Sequence, residues 1–365
     1  MREGWEYICF ESCLNKIPKT KQVTTKEYNS GTKYPIISQE DKLISGYCDD
    51  ESMLFHVDKP VIIFGDHTRV LKYIDFDFVV GADGVKIISP KENLNAKFLL
   101  YFLTWYNIPN LGYSRHYKLL KELDIPVPPL STQLSIVTEL DKINELTRLK
   151  KEQLKDYDNL AQSIFYEMFG DPVVNEKGWE VKKLGNFCEI GTGSTPSRKN
   201  KEYYEGSISW VKSTEVSNCV IDSTEEHISE IAIAETNCTI YPKGTILIAM
   251  YGQGKTRGQI AILNIEATTN QAVAAILPNE LCDKFFLYHC LHLMYDNIRS
   301  MARGGNQANL NLAIVRSINI ILPPLPLQQV FAKRIELIEK QKAEVQRTIK
   351  DLETLLASRM QYWFD

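Results

Sequence analysis

Apolar residues recur at alternating steps of four and three through two long stretches of this 365-residue chain. The first row is Ile136, Leu140, Ile143, Thr147, Lys150, Leu154, Tyr157, Ala161, Ile164 and Met168, broken only by Thr147 and Lys150. The second lies 195 positions further on, at Phe331, Ile335, Ile338, Lys342, Val345, Ile349, Leu352, Leu356, Arg359 and Trp363, with Lys342 and Arg359 as its exceptions. Neither stretch holds Gly or Pro beyond its first turn, which an uninterrupted helix requires. A mean spacing of about 3.5 residues kept this long marks a coiled-coil seam, and two such helices in one chain bury their stripes most simply against each other.

The segment before each helix also repeats. Each half opens with Gly-Trp-Glu (residues 4–6 and 178–180) and closes with an apolar strand running into Pro-Pro-Leu (residues 128–130 and 323–325). A buried strand at 61–64 followed by His67, Thr68 and Arg69 answers one at 245–249 followed by Lys255, Thr256 and Arg257. Residues 98–103 and 285–291 read as matching apolar helices. The expected fold class is therefore α+β: two globular α/β domains separated by two long helices that pair as an antiparallel coiled coil. The expected boundaries are 1–130 for the first domain, 131–170 for a central spacer helix, 171–325 for the second domain and 326–365 for a C-terminal spacer helix. Because each helix comes after its own domain, antiparallel pairing is expected to put the domains at opposite ends of a rod on the order of 60 Å long, at about 1.5 Å per residue.

Composition narrows the class. With 44% hydrophobic and 24% charged residues the chain is an ordinary folding sequence, not a disordered one. No run approaches the roughly 18 apolar residues of a membrane span and the first residues lack a signal-peptide core, so a cytoplasmic protein without membrane contact is expected. The eight cysteines form no CxxC pair, which suggests neither a disulfide framework nor a zinc knuckle. His289, Cys290 and His292 cluster, but within an apolar helical run and without the usual ligand spacing, so no metal is expected. A formal charge of −4 means that any surface for nucleic-acid phosphates must be local.

No catalytic arrangement emerges. Residues 249–256, Ala-Met-Tyr-Gly-Gln-Gly-Lys-Thr, nearly spell a phosphate-binding loop. That loop, however, needs to open a helix, whereas residues 257–263 are glycine-interrupted and β-rich. The Pro-Pro pairs are flanked by Val127, Leu130, Leu322 and Leu325, not by the Asn/Asp and aromatic residue of an amino-methyltransferase turn. No nucleophile lies beside a base at a recognisable spacing.

Recognition chemistry remains. Residues 193–201 gather Ser194, Thr195, Ser197, Arg198 and Lys199 around Pro196, a composition suited to phosphate oxygens. Gln253, Lys255 and Arg257 form a second polar loop, and Arg303, Asn306, Gln307 and Asn309 a third. Arg, Asn and Gln can pair bidentately with guanine or adenine edges. The first half offers Lys19 and Lys21, then His67, Arg69 and Lys72, then Tyr113, Arg115, His116 and Lys118. A protein–protein adaptor built on a coiled-coil spine is the alternative, and a steep salt dependence of DNA affinity separates the two.

These residues resemble a known family. The run Gly193-Ser-Thr-Pro-Ser-Arg-Lys-Asn200, continuing through Tyr203-Tyr204-Glu205-Gly206 to residues 208–211, is similar to a common target-recognition domain of Type I restriction-modification specificity (S) subunits. So are residues 248–252 leading to Thr268-Thr269-Asn270-Gln271-Ala272. The first half resembles another variety of that domain, through residues 34–38, 64–69 and 81–85. The helix entries, with Gln133 and Gln328 nearby, resemble the family's spacer helices. One departure is that the first copy has Lys19-Thr20-Lys21-Gln22-Val23-Thr24-Thr25 where the second has Gly-Ser-Thr-Pro-Ser.

The resemblance implies a non-catalytic subunit whose two target-recognition domains each read half of a bipartite, asymmetric site in double-stranded DNA. It also implies assembly with two modification (M) subunits that use S-adenosylmethionine and two restriction (R) subunits that use ATP and Mg. This chain would then bind no cofactor of its own.

Overall fold

The computed structural model describes residues 4–18, 20–112, 114–252, 254–302 and 309–365. The chain divides into two compact units, Met1–Glu152 with Gln346–Asp365, and Gln153–Val345. The long helices run Leu130–Phe169 and Leu325–Phe364. Each unit thus contains a globular part, the start of the helix next to it in sequence and the end of the other long helix. The expected boundaries set the helices apart as segments of their own. By packing they are not separate, because each helix end shares its apolar surface with a globular part.

In the first unit the opening strand Glu6–Cys9 lies antiparallel to the closing strand Asp124–Val127. Val61–Gly65 is the middle of three antiparallel strands, between Leu71–Ile74 and Val85–Ile88. Tyr34–Ile37 runs parallel to Phe78–Val80 in a four-stranded sheet.

The second unit repeats each pairing. Val181–Lys183 lies antiparallel to Asn319–Ile321, Ile246–Ala249 sits between Ile260–Leu263 and Val273–Ile276, and Ile208–Val211 runs parallel to Thr268–Thr269. Here two further strands, Ile190–Thr192 and Cys219–Ile221, widen the central sheet to five.

The middle strands are apolar throughout because both faces are covered, and strand side chains alternate between faces. Ile62 and Phe64 enter one core with Phe98 and Ile136, while Val61 and Ile63 enter another with Phe78 and Val80. Ile246 and Ile248 likewise meet Phe286 and Phe331, and Leu247 and Ala249 meet Val211 and Tyr241.

Each globular part grips its long helix through one buried glutamine. Gln133 accepts the Asn95 amide (2.7 Å) and donates to the carbonyls of Asn93 and Pro128 (2.8 Å each). Gln328 accepts the Asp283 amide (2.9 Å) and donates to the Pro323 carbonyl (2.8 Å). Asn95 and Asp283 are the N-caps of the domain helices Ala96–Tyr106 and Lys284–Leu293, each side chain accepting two amides of the first turn. One side chain therefore ties the start of the long helix to the start of the domain helix.

Every position of both expected rows on the long helices is buried or half-buried. Pairing is antiparallel within each unit. In the first, Glu139 meets Arg359 and the Trp363 indole N–H, while Lys151 meets Glu353 (2.8 Å). In the second, Asp158 meets Lys342 (2.9 Å) and Phe165 meets Phe331 (centroids 5.5 Å apart).

Two of the exceptions in the rows, Lys342 and Arg359, thus find acidic partners on the facing helix. The stripe also widens at its ends to include Val137, Phe165, Phe169, Ala332, Met360 and Phe364, all buried. There the helix meets a globular part as well as its partner helix. Phe169 packs on Phe286 at 4.8 Å, and Phe364 on Phe98 at 5.5 Å.

The glutamine grip gives a test. Gln328→Leu would leave the Asp283 amide and the Pro323 carbonyl without partners in a dry interior, at an expected cost of roughly 2–4 kcal/mol. Gln329→Leu, at the neighbouring exposed position, is expected to stay within about 0.5 kcal/mol of wild type. Urea unfolding of both variants measures the difference, and equal costs would rule out the grip.

Candidate nucleic-acid interface

In the first unit the loop after the middle strand is built around buried Asp66. Its carbonyl accepts the His116 amide (2.8 Å) and the His116 Nδ1–H (2.9 Å), and its carboxylate accepts the Tyr117 amide (2.8 Å). His116 Nε2 in turn accepts the Leu111 amide at 3.0 Å. His116 is fully buried with both ring nitrogens occupied within the fold, so its ring is not presented at the surface.

Lys72 is likewise withdrawn from the surface. Its side chain is buried and its ammonium donates to the carbonyls of Ser38 (2.9 Å) and Lys42 (2.5 Å), with burial holding its pKa below the usual lysine value. Gln39 braces the loop by accepting the His67 amide (3.2 Å) and, through its carbonyl, the Thr68 hydroxyl (2.6 Å).

Arg69, half-buried with φ 63°, donates to the Ile108 carbonyl at 2.8 Å. Lys21, Arg115 and Lys118 are exposed. Lys19 and Tyr113 lie outside the described residues.

In the second unit the 193–201 loop is stitched to its neighbours. The Gly193 amide donates to the Thr269 hydroxyl at 3.0 Å, and a Cβ there would stand 1.7 Å from the Thr269 carbonyl oxygen, so only glycine fits. The Ser194 carbonyl accepts the indole N–H of Trp210 at 3.0 Å, and the Thr195 hydroxyl bonds the Gln271 side chain.

Arg198 pairs with Glu226 at 2.6 Å and lies 4.2 Å over the Tyr204 ring. That pairing, with Lys212 as a second partner, holds the Glu226 carboxyl below its usual range. Ser197 and Lys199 are exposed.

After the central strand Ile246–Ala249, Lys255 is exposed while Arg257 is half-buried. The carbonyls of this loop are taken by two residues that the sequence pattern did not single out. Tyr295 donates to the Lys255 carbonyl (2.7 Å), and Arg299 donates to those of Gly254 (2.8 Å) and Arg257 (2.7 Å). A Tyr and an Arg four apart on one helix face were the available signal. Asn309 is half-buried, and Gln253, Arg303, Asn306 and Gln307 lie outside the described residues.

In the His289–Cys290–His292 cluster Cys290 is fully buried, His289 half-buried and His292 exposed. His289 sits edge-on to Phe331 at 5.4 Å and His292 stacks on Tyr288 at 6.3 Å. Burial pushes the His289 imidazole down to about 3 and lowers His292 as well. Among the described residues no group of three His, Cys, Asp or Glu side chains could hold a metal ion, and no helix is long and apolar enough to cross a membrane.

Two copies of one sheet-and-helix skeleton, each carrying its own polar loops and each gripping a long helix, define a two-domain recognition protein. Residues 2–156 and 176–354 both match the family described as the Type I restriction modification DNA specificity domain, and the chain belongs to that family.

Among its relatives, the specificity subunit of the Escherichia coli Type I restriction enzyme EcoR124I/EcoR124II is 27% identical over 90% of this chain and 85% of its own length. The MjaIX specificity subunit of Methanocaldococcus jannaschii is 25% identical over 70% of this chain and 66% of that one. In fold, the chain is similar to the crystal structure of a Type I S subunit from M. genitalium, with a TM-score of 0.63, 16% identity, and coverage of 99% and 96%. It is also similar to a chain from a study of complex assembly and conformational transition of the type I R-M system, with a TM-score of 0.59, 17% identity, and coverage of 100% and 98%. The protein is a specificity subunit with two tandem recognition domains.

His289, packed against Phe331, makes the second unit acid-sensitive. A histidine near 3 when folded and about 6.5 when unfolded contributes its full stability above pH 6.5 and loses it as pH falls toward 3. The expected slope is about 1.4 kcal/mol per pH unit for each such proton. His289→Phe should flatten the pH 6 to 4 profile by about one proton in chemical denaturation, and an unchanged slope would count against buried neutral His289.

Proposed function

We propose that each globular domain, 1–130 and 171–325, reads one half of a bipartite, asymmetric site in double-stranded DNA, without catalysis. The paired helices 131–170 and 326–365 set the gap between the halves. What carries this reading is the contrast between a repeated skeleton and unlike loops. Of the candidate residues, Lys21, Arg115 and Lys118 are exposed cations in one domain, and Arg198, Lys199 and Lys255 in the other.

Half-buried His67, Arg69, Arg257 and Asn309 stand beside these with Ser194, Thr195 and Ser197, and Lys19, Tyr113, Gln253, Arg303, Asn306 and Gln307 complete the candidate set. In this reading the subunit works in the cytoplasm within a complex of two M and two R subunits. Those partners supply S-adenosylmethionine and ATP with Mg, and the target base is flipped out to the M subunit.

A helix rod on the order of 60 Å, less the domain widths, separates the half-sites by roughly one duplex turn, about 10 base pairs. Deleting one heptad from each helix at facing positions shortens the rod by about 10 Å, or roughly 3 base pairs. Methylation mapping of the reconstituted complex should show the gap shrink accordingly, and an unchanged gap refutes the ruler. Exchanging residues 172–322 for another family member's domain should alter one half-site, whereas changes in both would refute modular reading.

A further inference from the structure

The loop at 254–258 is tied by backbone bonds at its far end, where the Gly258 amide donates to the Ala249 carbonyl (2.8 Å) and the Gln259 amide to the Thr256 carbonyl (3.0 Å). Gly254 and Gly258 both sit in the left-handed region, with φ of 61° and 85°, so its backbone is at its most permissive there. It is held from behind by the short helix Tyr295–Ser300, which Ile298 buries into the core.

Tyr295 and Arg299, one turn apart, take the carbonyls of Gly254, Lys255 and Arg257. The Arg299 guanidinium also donates to the Tyr295 hydroxyl (3.0 Å), so the two side chains act as one clasp. A planar guanidinium presents its donors as a rigid fork, here reaching the Gly254 and Arg257 carbonyls and the Tyr295 hydroxyl together, whereas a lysine ammonium is a compact point of donors that does not match that spread. The matching loop of the first unit has a different brace, Gln39.

We propose that Tyr295 and Arg299 are positioning residues for DNA reading by the second domain: their clasp on three loop carbonyls fixes the backbone from which Lys255 meets the nucleic acid. The inference rests on the reading of this loop as part of the DNA face. Without the clasp the loop must be ordered at the moment of binding, which weakens the complex and blurs its geometry.

The test uses the full chain reconstituted with its M subunits. Lys255→Ala, Arg299→Ala, Arg299→Lys and Tyr295→Phe are compared by DNA affinity against salt and by methylation of sites varied in either half. Lys255→Ala should bind about tenfold more weakly with a salt slope lower by about 0.9. Arg299→Ala should relax discrimination at the second half-site by about tenfold, leave the first half-site unchanged, and not be rescued by lysine.

If Lys255→Ala changes neither affinity nor slope, this loop is no DNA contact and the underlying reading fails there. If Lys255→Ala weakens binding while the Arg299 and Tyr295 variants discriminate as wild type does, the clasp is overturned. Should Arg299→Ala unfold the unit, Tyr295→Phe, which removes a single hydroxyl, carries the test. It should relax the second half-site about two- to threefold, and unchanged discrimination again overturns the clasp.

Discussion

A side-chain amide sealed from water must find partners, and Gln133 and Gln328 find theirs on both sides of a joint. Each stands just inside a long helix, after a Pro-Pro pair that cannot itself donate a hydrogen bond. Left alone, that entry would be a swivel. The glutamine closes it by holding the N-cap residue of the domain helix and the proline carbonyl together, so each globular part is fixed to the start of its own helix. The aromatic contacts at the helix ends then have a defined surface to pack against.

From that joint outward the two units share a frame and differ in what they hang on it. The doubly buried middle strand, the parallel pair beside it and the opening-to-closing strand pair recur in both. Such elements tolerate little change, since a one-residue register slip of the middle strand would exchange its two buried faces and misfit both cores. The loops after the middle strand carry no such constraint. One is organised by Asp66, His116 and Gln39, the other by Tyr295 and Arg299. A common scaffold with unlike loops is what a protein reading two unlike half-sites needs.

The net charge of −4 is a poor guide to this surface. Several cations of the loops are held by nearby carboxylates or carbonyls, as Arg198 is by Glu226 and Lys212 by Glu225 and Glu226. These acids hold the cations in place, and the exposed pairs contribute little stability of their own.

The chain itself determined the helices, their seam and the duplication, because periodicity, glycine-free length and the paired Gly-Trp-Glu and Pro-Pro-Leu marks are all properties of local sequence. It also determined which strands are buried on both faces, since those read as unbroken apolar runs. What tertiary structure alone decided is which polar residues are available to a partner. Lys72, on the strand Leu71–Ile74, and His116, in a loop, have the right chemistry, yet Ser38, Lys42, Asp66 and Leu111, brought beside them by the fold, absorb their hydrogen bonds. Tyr295 and Arg299 read as an ordinary helix face until the fold brings the 254–258 carbonyls beneath them. A hydrogen bond depends on where the partner is, and for side chains the partner is set by the fold, not by the neighbours in the chain.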